Sequence, residues 1–471
     1  MSYRLLTAET ADEPAGDGRQ DLLEDPNLVA ACATAVDALE IAARFETAGL
    51  SNQVALESYG HRDVFALADA MFDTVPFQAE TVTPGARPPG GGLKNLARGA
   101  LFALPTLLFT VAVAGLDAHL SWWSLPLGIT TGWAGSQFVP VVGWVLRGRQ
   151  DQRSDALLPI VALVLGAGVS TGLSVLCRLI LGGSTSDTIF AGALCIYLVA
   201  SALLLLRDAE VALAVALAPG AVVSLMRYVD WPFGVSARAA AWSVIASGGL
   251  VVAIALRRTF TRRWTWPRLD AVEQRRVWQY LLHGVCCGTL TSVVIFFSDL
   301  WRTPDAYRAF AVWPLLLSLG VMEWQLCSYR RRGFDLLHQA ADLPEFARRS
   351  RRSFWRHLSV FVVCLFALTA GVEALAGGHD RGLALLLVAE AVLGVAFYIG
   401  LVLETSGRID LTLRGWGVAL LFLSVSLSVE WAVSGRVSAN DGIVSLLAGV
   451  GFTTFFMAGA VRKVVVSPFR F

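Results

Sequence analysis

The chain has 471 residues, of which 55% are hydrophobic and 16% charged, with a mean hydropathy of +0.59. That balance excludes an ordinary soluble domain and is expected of a protein built for a bilayer. The formal net charge of +1 hides a division, because residues 1–92 carry fifteen acidic and five basic side chains while the remainder is strongly basic.

Residues 1–27 are rich in Asp, Glu, Gly and Pro and predict a disordered acidic tail. They lack both a basic n-region and an apolar h-region, so no cleavable signal peptide is expected there and the first span would direct insertion. Residues 28–80 predict a small cytoplasmic helical module. The stretch NLVAACATAVDALEIAARFETAGL has helical apolar spacing and stops at Gly49, Ser51 can cap a second helix through Tyr59, and RDVFALADAMF makes a third. So small a unit is marginal alone and is expected to lean on the basic loops or on a partner. Residues 81–98, with TVTPGARPPGGG, read as a Pro/Gly linker.

Twelve apolar stretches follow, each long enough to cross a hydrocarbon core of roughly 30 Å as a helix. They cover residues 99–118, 121–146, 156–181, 188–206, 211–229 and 238–256, then 277–300, 306–329, 358–375, 382–403, 416–433 and 442–461. Residues 99–258 make a first six-helix bundle, 259–276 a cytoplasmic basic linker, 277–465 a second bundle and 466–471 a tail. Arginine loads every second connection, which places those connections and both termini in the cytoplasm. Only two of the 38 basic residues, Lys94 and Lys463, are lysine, a bias that suggests a GC-rich bacterial genome and so a bacterial cytoplasmic membrane. The two halves differ in length mainly through the connection after span 8, as a duplicated bundle with one insertion would.

That connection, EWQLCSYRRRGFDLLHQAADLPEFARRSRRSFWRHL, predicts a cytoplasmic helical hairpin over residues 330–357 that turns at Leu343-Pro344. Its arginines, among them Arg330, Arg331, Arg348, Arg349, Arg351 and Arg352, suit either anionic lipid or a cytoplasmic partner. Twelve spans in two bundles with such a hairpin resemble the multidrug/oligosaccharidyl-lipid/polysaccharide (MOP) exporter superfamily. Within it, Glu323, Tyr329, Arg330, Phe334, Leu337 and Phe346 match the pattern after span 8 in the membrane transporter subunit of the Pel exopolysaccharide system. The resemblance implies an all-α, MATE/MOP-like membrane fold and export or flipping of a polysaccharide or lipid-linked glycan by alternating access. It also implies cytoplasmic glycosyltransferase or other synthase subunits as partners, beside membrane lipids and the glycan itself.

Ionisable groups inside spans are costly in hydrocarbon and mark function or deliberate pairing. Glu390 falls near the midplane of span 10, and Glu323 and His283 lie in the inner parts of spans 8 and 7. Each is a candidate for ion coupling or for lining a cavity, against the plainer alternative of a neutral group bonded to a neighbouring helix. Arg178 and Arg227 approach the outer face, where they could meet anionic substrate groups or snorkel to head groups. The seven cysteines show no paired CxxC spacing, so no metal is expected, and no cofactor or nucleic-acid partner is expected either. Walker A, HExxH and GxSxG motifs are absent, and no enzyme activity is expected. Two alternatives stay open: a major-facilitator-type transporter of a small solute, and a non-transporting scaffold or lipid-sugar transferase subunit.

Overall fold

The computed structural model describes most of residues 29–75, scattered positions between 92 and 108, and residues 120–148, 152–228, 235–257, 269–297, 313–339, 343–375 and 381–464. The expected tail 1–27, most of the linker and first span, much of the basic linker 259–276, the start of span 8 and the tail 466–471 lie outside them. The chain separates into two compact units, Met1–Pro89 and Gly90–Phe471.

In the first unit, α1 (Ala38–Thr47), α2 (Asn52–Tyr59) and α3 (Val64–Thr74) enclose a small core of Ile41, Phe45, Leu67 and Met71. Ser51 caps α2 by accepting from the Val54 N–H at 3.4 Å, and Asp63 caps α3 by accepting from the Ala66 N–H at 2.7 Å. The Asn52 side chain accepts from the Val64 N–H at 2.9 Å and so ties the start of α2 to the start of α3. Burial pushes the Cys32 thiol up to about 11, with Arg44 opposing part of the shift, which leaves it an inert core residue.

The second unit continues with α4 (Ser124–Gly148), α5 (Gln152–Leu181), α6 (Thr185–Leu206), α7 (Glu210–Tyr228) and α8 (Ala237–Arg257). Then come α9 (Ala271–Phe297), α10 (Trp313–Gln339), α11 (Leu343–Leu375), α12 (Arg381–Thr405), α13 (Ile409–Ser434) and α14 (Ala439–Val464). Nine of these, α5 to α9 and α11 to α14, are long and apolar enough to cross a membrane. The protein is a multi-pass membrane protein. Helices α4 and α10 have 25 and 27 residues, but hydroxyls and glycines dilute the first and Arg330, Arg331 and Arg332 the second. The expectation of twelve spans therefore rests on nine clear ones, these two, and a first span that is mostly outside the described residues.

Helices of the two halves pack in matching pairs. Contacts of α4 with α6, α5 with α6, α6 with α8 and α7 with α8 recur as α10 with α12, α11 with α12, α12 with α14 and α13 with α14. Between the halves, α4 (the second span) meets α9 (the seventh), the most extensive helix contact among the described residues. Its twofold counterpart pairs the first and eighth spans, and there Gly99 and Gly320 stand backbone to backbone. Glycine makes the α4–α9 contact possible as well. A Cβ on Gly284 would lie 2.7 Å from the Ala134 Cα, and one on Gly288 2.7 Å from the Thr130 Cα. This arrangement gives the duplicated plan a physical basis that no residue-level repeat supplies.

Arginine does more than set orientation. Arg98 donates to the Leu205 carbonyl at 2.7 Å and Arg147 to the Leu206 carbonyl at 2.7 Å, adding side-chain donors to the C-terminal turn of α6. At the other end of α6, buried Asp187 accepts from the N–H and hydroxyl of both Ser121 and Ser184 at 2.6–3.1 Å. One carboxylate thus caps α6 and pins the chain entering α4.

Candidate functional site

Three polar constellations stand out in the membrane unit. The first joins the bundles on the arginine-loaded side. Arg98, at the head of the first span, lies 3.6 Å from the Glu210 carboxylate of α7 and 3.5 Å from that of Glu323 in α10, and Lys94 adds a 3.6 Å contact to Glu210. These separations are ion pairs rather than hydrogen bonds. Glu323 belongs to the second bundle and Glu210 to the first, so one guanidinium bridges the seam beside the Gly99–Gly320 contact. The structure therefore places Glu323 in an inter-bundle clasp, half-exposed, and not in a buried ion site.

The second constellation lies inside the second bundle. His283 of α9 is buried, and its Nδ1 receives the Trp416 indole N–H of α13 at 3.3 Å. An indole can only donate, so Nδ1 is the acceptor and the ring proton of neutral His283 sits on Nε2. That nitrogen stands 3.6 Å from the Glu404 carboxylate of α12 and 3.4 Å from the Cys287 sulfur. Phe397 packs edge-on against Trp416 and closes the cluster, with ring centroids 5.4 Å apart. Glu390, on the same helix as Glu404, is 0% exposed, and neither carboxylate oxygen has a hydrogen-bond partner among the described residues. Fourteen residues make almost four turns, so Glu390 and Glu404 share one face of α12, about 21 Å apart along its axis.

Glu404 is the residue that sequence reasoning missed. It lies one residue beyond the expected span 382–403, whereas α12 runs through Thr405 and buries it. The fourteen-residue spacing from Glu390 was the available signal. Arg178 and Arg227 lie in the last turns of α5 and α7, both exposed, and Arg178 donates to the Thr185 hydroxyl at 3.1 Å. Neither is brought to the buried cluster.

The third constellation is a cleft between α10 and α11, within the hairpin. Of the arginines singled out from the sequence, Arg331, Arg349 and Arg352 line it, joined by Arg332 and Arg356, while Arg330, Arg348 and Arg351 do not.

No protein-family model matches the chain, and no curated protein sequence matches it. Solved structures do. The chain is similar to the inward-facing conformation of a multidrug resistance MATE family transporter of the MOP superfamily, with a TM-score of 0.51 and 11% identity, over 80% of this chain and 99% of that one. It is similar to an outward-facing conformation of such a transporter, with a TM-score of 0.50 and 11% identity, over 82% of this chain and 99% of that one. A MATE multidrug transporter solved as a complex gives 0.50 and 13%, over 80% of this chain and 96% of that one. The fold is that of the MATE transporters. The likeness covers 80–82% of the chain. At this identity the likeness carries the fold and none of the individual site residues.

Proposed function

We propose that this chain exports or flips a polysaccharide or lipid-linked glycan across the bacterial cytoplasmic membrane by alternating access, with the arginine-loaded loops in the cytoplasm. The observation that carries the reading is the Arg98 clasp, in which a single side chain holds Glu210 of one bundle and Glu323 of the other. A half-buried ion pair of this kind is strong enough to bias a closed state and weak enough to open, which two rocking bundles require. Transport fits a MATE-like fold better than a scaffold or transferase role, and that fold also argues against a major-facilitator arrangement. The glycan substrate rests on the resemblance of the span-8 hairpin to the Pel transporter subunit. Within this reading Glu390, Glu404 and His283 are the groups that would take up the coupling ion.

Deleting the gene tests it. Loss of surface polysaccharide, restored by the wild-type gene and not by Glu390→Gln, is the expected result. Unchanged polysaccharide in the deletion strain refutes the glycan reading. The multidrug transporters among the similar structures support a second reading, multidrug export. It predicts instead that the deletion strain becomes sensitive to toxic drugs and dyes while its polysaccharide is unchanged.

A further inference from the structure

The hairpin cleft holds about 990 Å³ between the end of α10 and the start of α11. Its lining is polarised along the helices. Arg331, Arg332 and Asp335 of α10, with Leu336 beside them, face Arg349 and Arg352 of α11 at one end, and Trp324 and Val360 lie at the other beside Gln325 and His357, with Arg356 between. Because Trp324 falls within the expected eighth span and Val360 within the expected ninth, the apolar end is the membrane end. Five arginines stand against a single aspartate in this lining. Glu345 pairs with Arg349, but Arg332, Arg352 and Arg356 have no ion-pair partner among the described residues. Exposed Phe334 and Trp355 on the same two helices suit a hairpin lying in the head-group layer.

Helix geometry separates this cleft from generic surface charge. Arg349, Arg352 and Arg356 follow the i, i+3, i+7 pattern of one face of α11, shared with buried Ser353, whereas Arg348 and Arg351, equally exposed, are absent from the lining. A head-group anchor working by charge alone would gain nothing from gathering some arginines around a pocket. Guanidinium groups on two facing helices offer paired N–H donors that match phosphate oxygens. A free phosphate would have no use for a membrane-directed apolar end.

We propose that this cleft binds the phosphate or diphosphate head of a membrane lipid, with the first carbons of its chain against Trp324 and Val360. The inference goes beyond the export reading and does not depend on it, since binding is measured on the purified protein and export in cells. Unchanged surface glycan in the deletion strain beside intact lipid binding fails the export reading alone, and lost glycan beside absent binding fails this proposal alone.

The test uses the full chain in phosphatidylcholine nanodiscs, titrated with farnesyl diphosphate, with inorganic pyrophosphate, and by doping phosphatidic acid into the disc. Arg332→Lys/Arg352→Lys/Arg356→Lys keeps the charge and removes the forked geometry, and Arg348→Lys/Arg351→Lys is the control outside the cleft. Farnesyl diphosphate or phosphatidic acid should bind wild type and the control alike and the cleft variant at least about tenfold more weakly. Either ligand behaving so sustains the proposal, and the tighter of the two identifies the source of the head. Equal loss in both variants, no binding of either lipid, or pyrophosphate binding as tightly as farnesyl diphosphate overturns it. Should the triple variant lose its monodisperse elution, Arg352→Lys alone is read by the same criteria.

Discussion

The two bundles share a packing plan and differ in the polar groups they bury. In the first, buried polarity is carried by hydroxyls: Thr131 bonds Ser170 at 3.1 Å, and Ser170 bonds the Ala191 carbonyl at 3.2 Å. Its buried acid, Asp187, sits at the helix mouth and is saturated by serine donors. The second bundle buries Glu390, which has no hydrogen-bond partner among the described residues, and Glu404 beside a histidine whose tautomer a tryptophan fixes. Hydroxyls do not change charge near neutral pH, so the first bundle is suited to act as a wall. A buried carboxyl with open hydrogen-bonding capacity is suited to take up a proton or a cation. The asymmetry teaches that a duplicated scaffold can keep its geometry in both halves while placing chemistry in one.

The largest expected effect comes from the seam that makes the comparison possible. Gly284→Val or Gly288→Val sets a side chain against the α4 backbone, an overpacking cost of about 1–3 kcal/mol or more. Thermal unfolding in detergent should fall by many degrees, while Gly417→Ala, where a Cβ meets nothing within 4 Å, should leave it unchanged. Equal stability of all three variants would mean that the bundles do not meet as described.

Next come the buried acids. Glu390→Gln and Glu404→Gln should lower glycan output by about tenfold or more, equivalent to ~1.4 kcal/mol in the coupled step, at normal expression. Thr131→Val and Ser170→Ala in the first bundle should stay within about twofold. If the hydroxyl variants lose as much as the carboxyl variants, the contrast between the bundles disappears.

Removing the clasp is a smaller perturbation. Arg98→Ala should shift the equilibrium toward the arginine-loaded side by about fivefold, the scale of ~1 kcal/mol for a half-buried ion pair. A cysteine placed at buried Leu319, in an otherwise cysteine-free background, should then alkylate faster from that side. An unchanged rate would reduce the clasp to surface charge.

The smallest functional effect belongs to Asp187. Asp187→Asn should weaken the α6 cap and reduce stability by about 1–2 kcal/mol, read as a lower unfolding temperature. Output per folded molecule should not change. A loss comparable to that of Glu404→Gln would give the first bundle its own chemistry.

Several features were legible in the sequence because they depend on local composition. Apolar runs of membrane-crossing length mark the helices, Ser51 marks a helix start, and the hairpin's arginines stand out by density. Glu390 was conspicuous because an acid in the middle of an apolar run has no solvent to turn to. The division into two sets of spans was legible through the order and length of the runs, and its MATE-like form through the resemblance to the MOP exporters. What the tertiary structure alone decided was pairing. Glu404 lay one residue outside the expected span, and only the structure shows α12 extending past it and α9 presenting His283. Glu323 was a candidate for ion coupling or for lining a cavity, and its ion pair with Arg98, from a distant part of the chain, appears only in the folded structure. The arginines divided into a cleft set and an outer set only when α10 faced α11. Burial follows from how apolar a segment is, which a sequence records directly. The partner a buried charge finds depends on helix rotation and crossing, and those are fixed by side-chain packing between segments far apart in the chain.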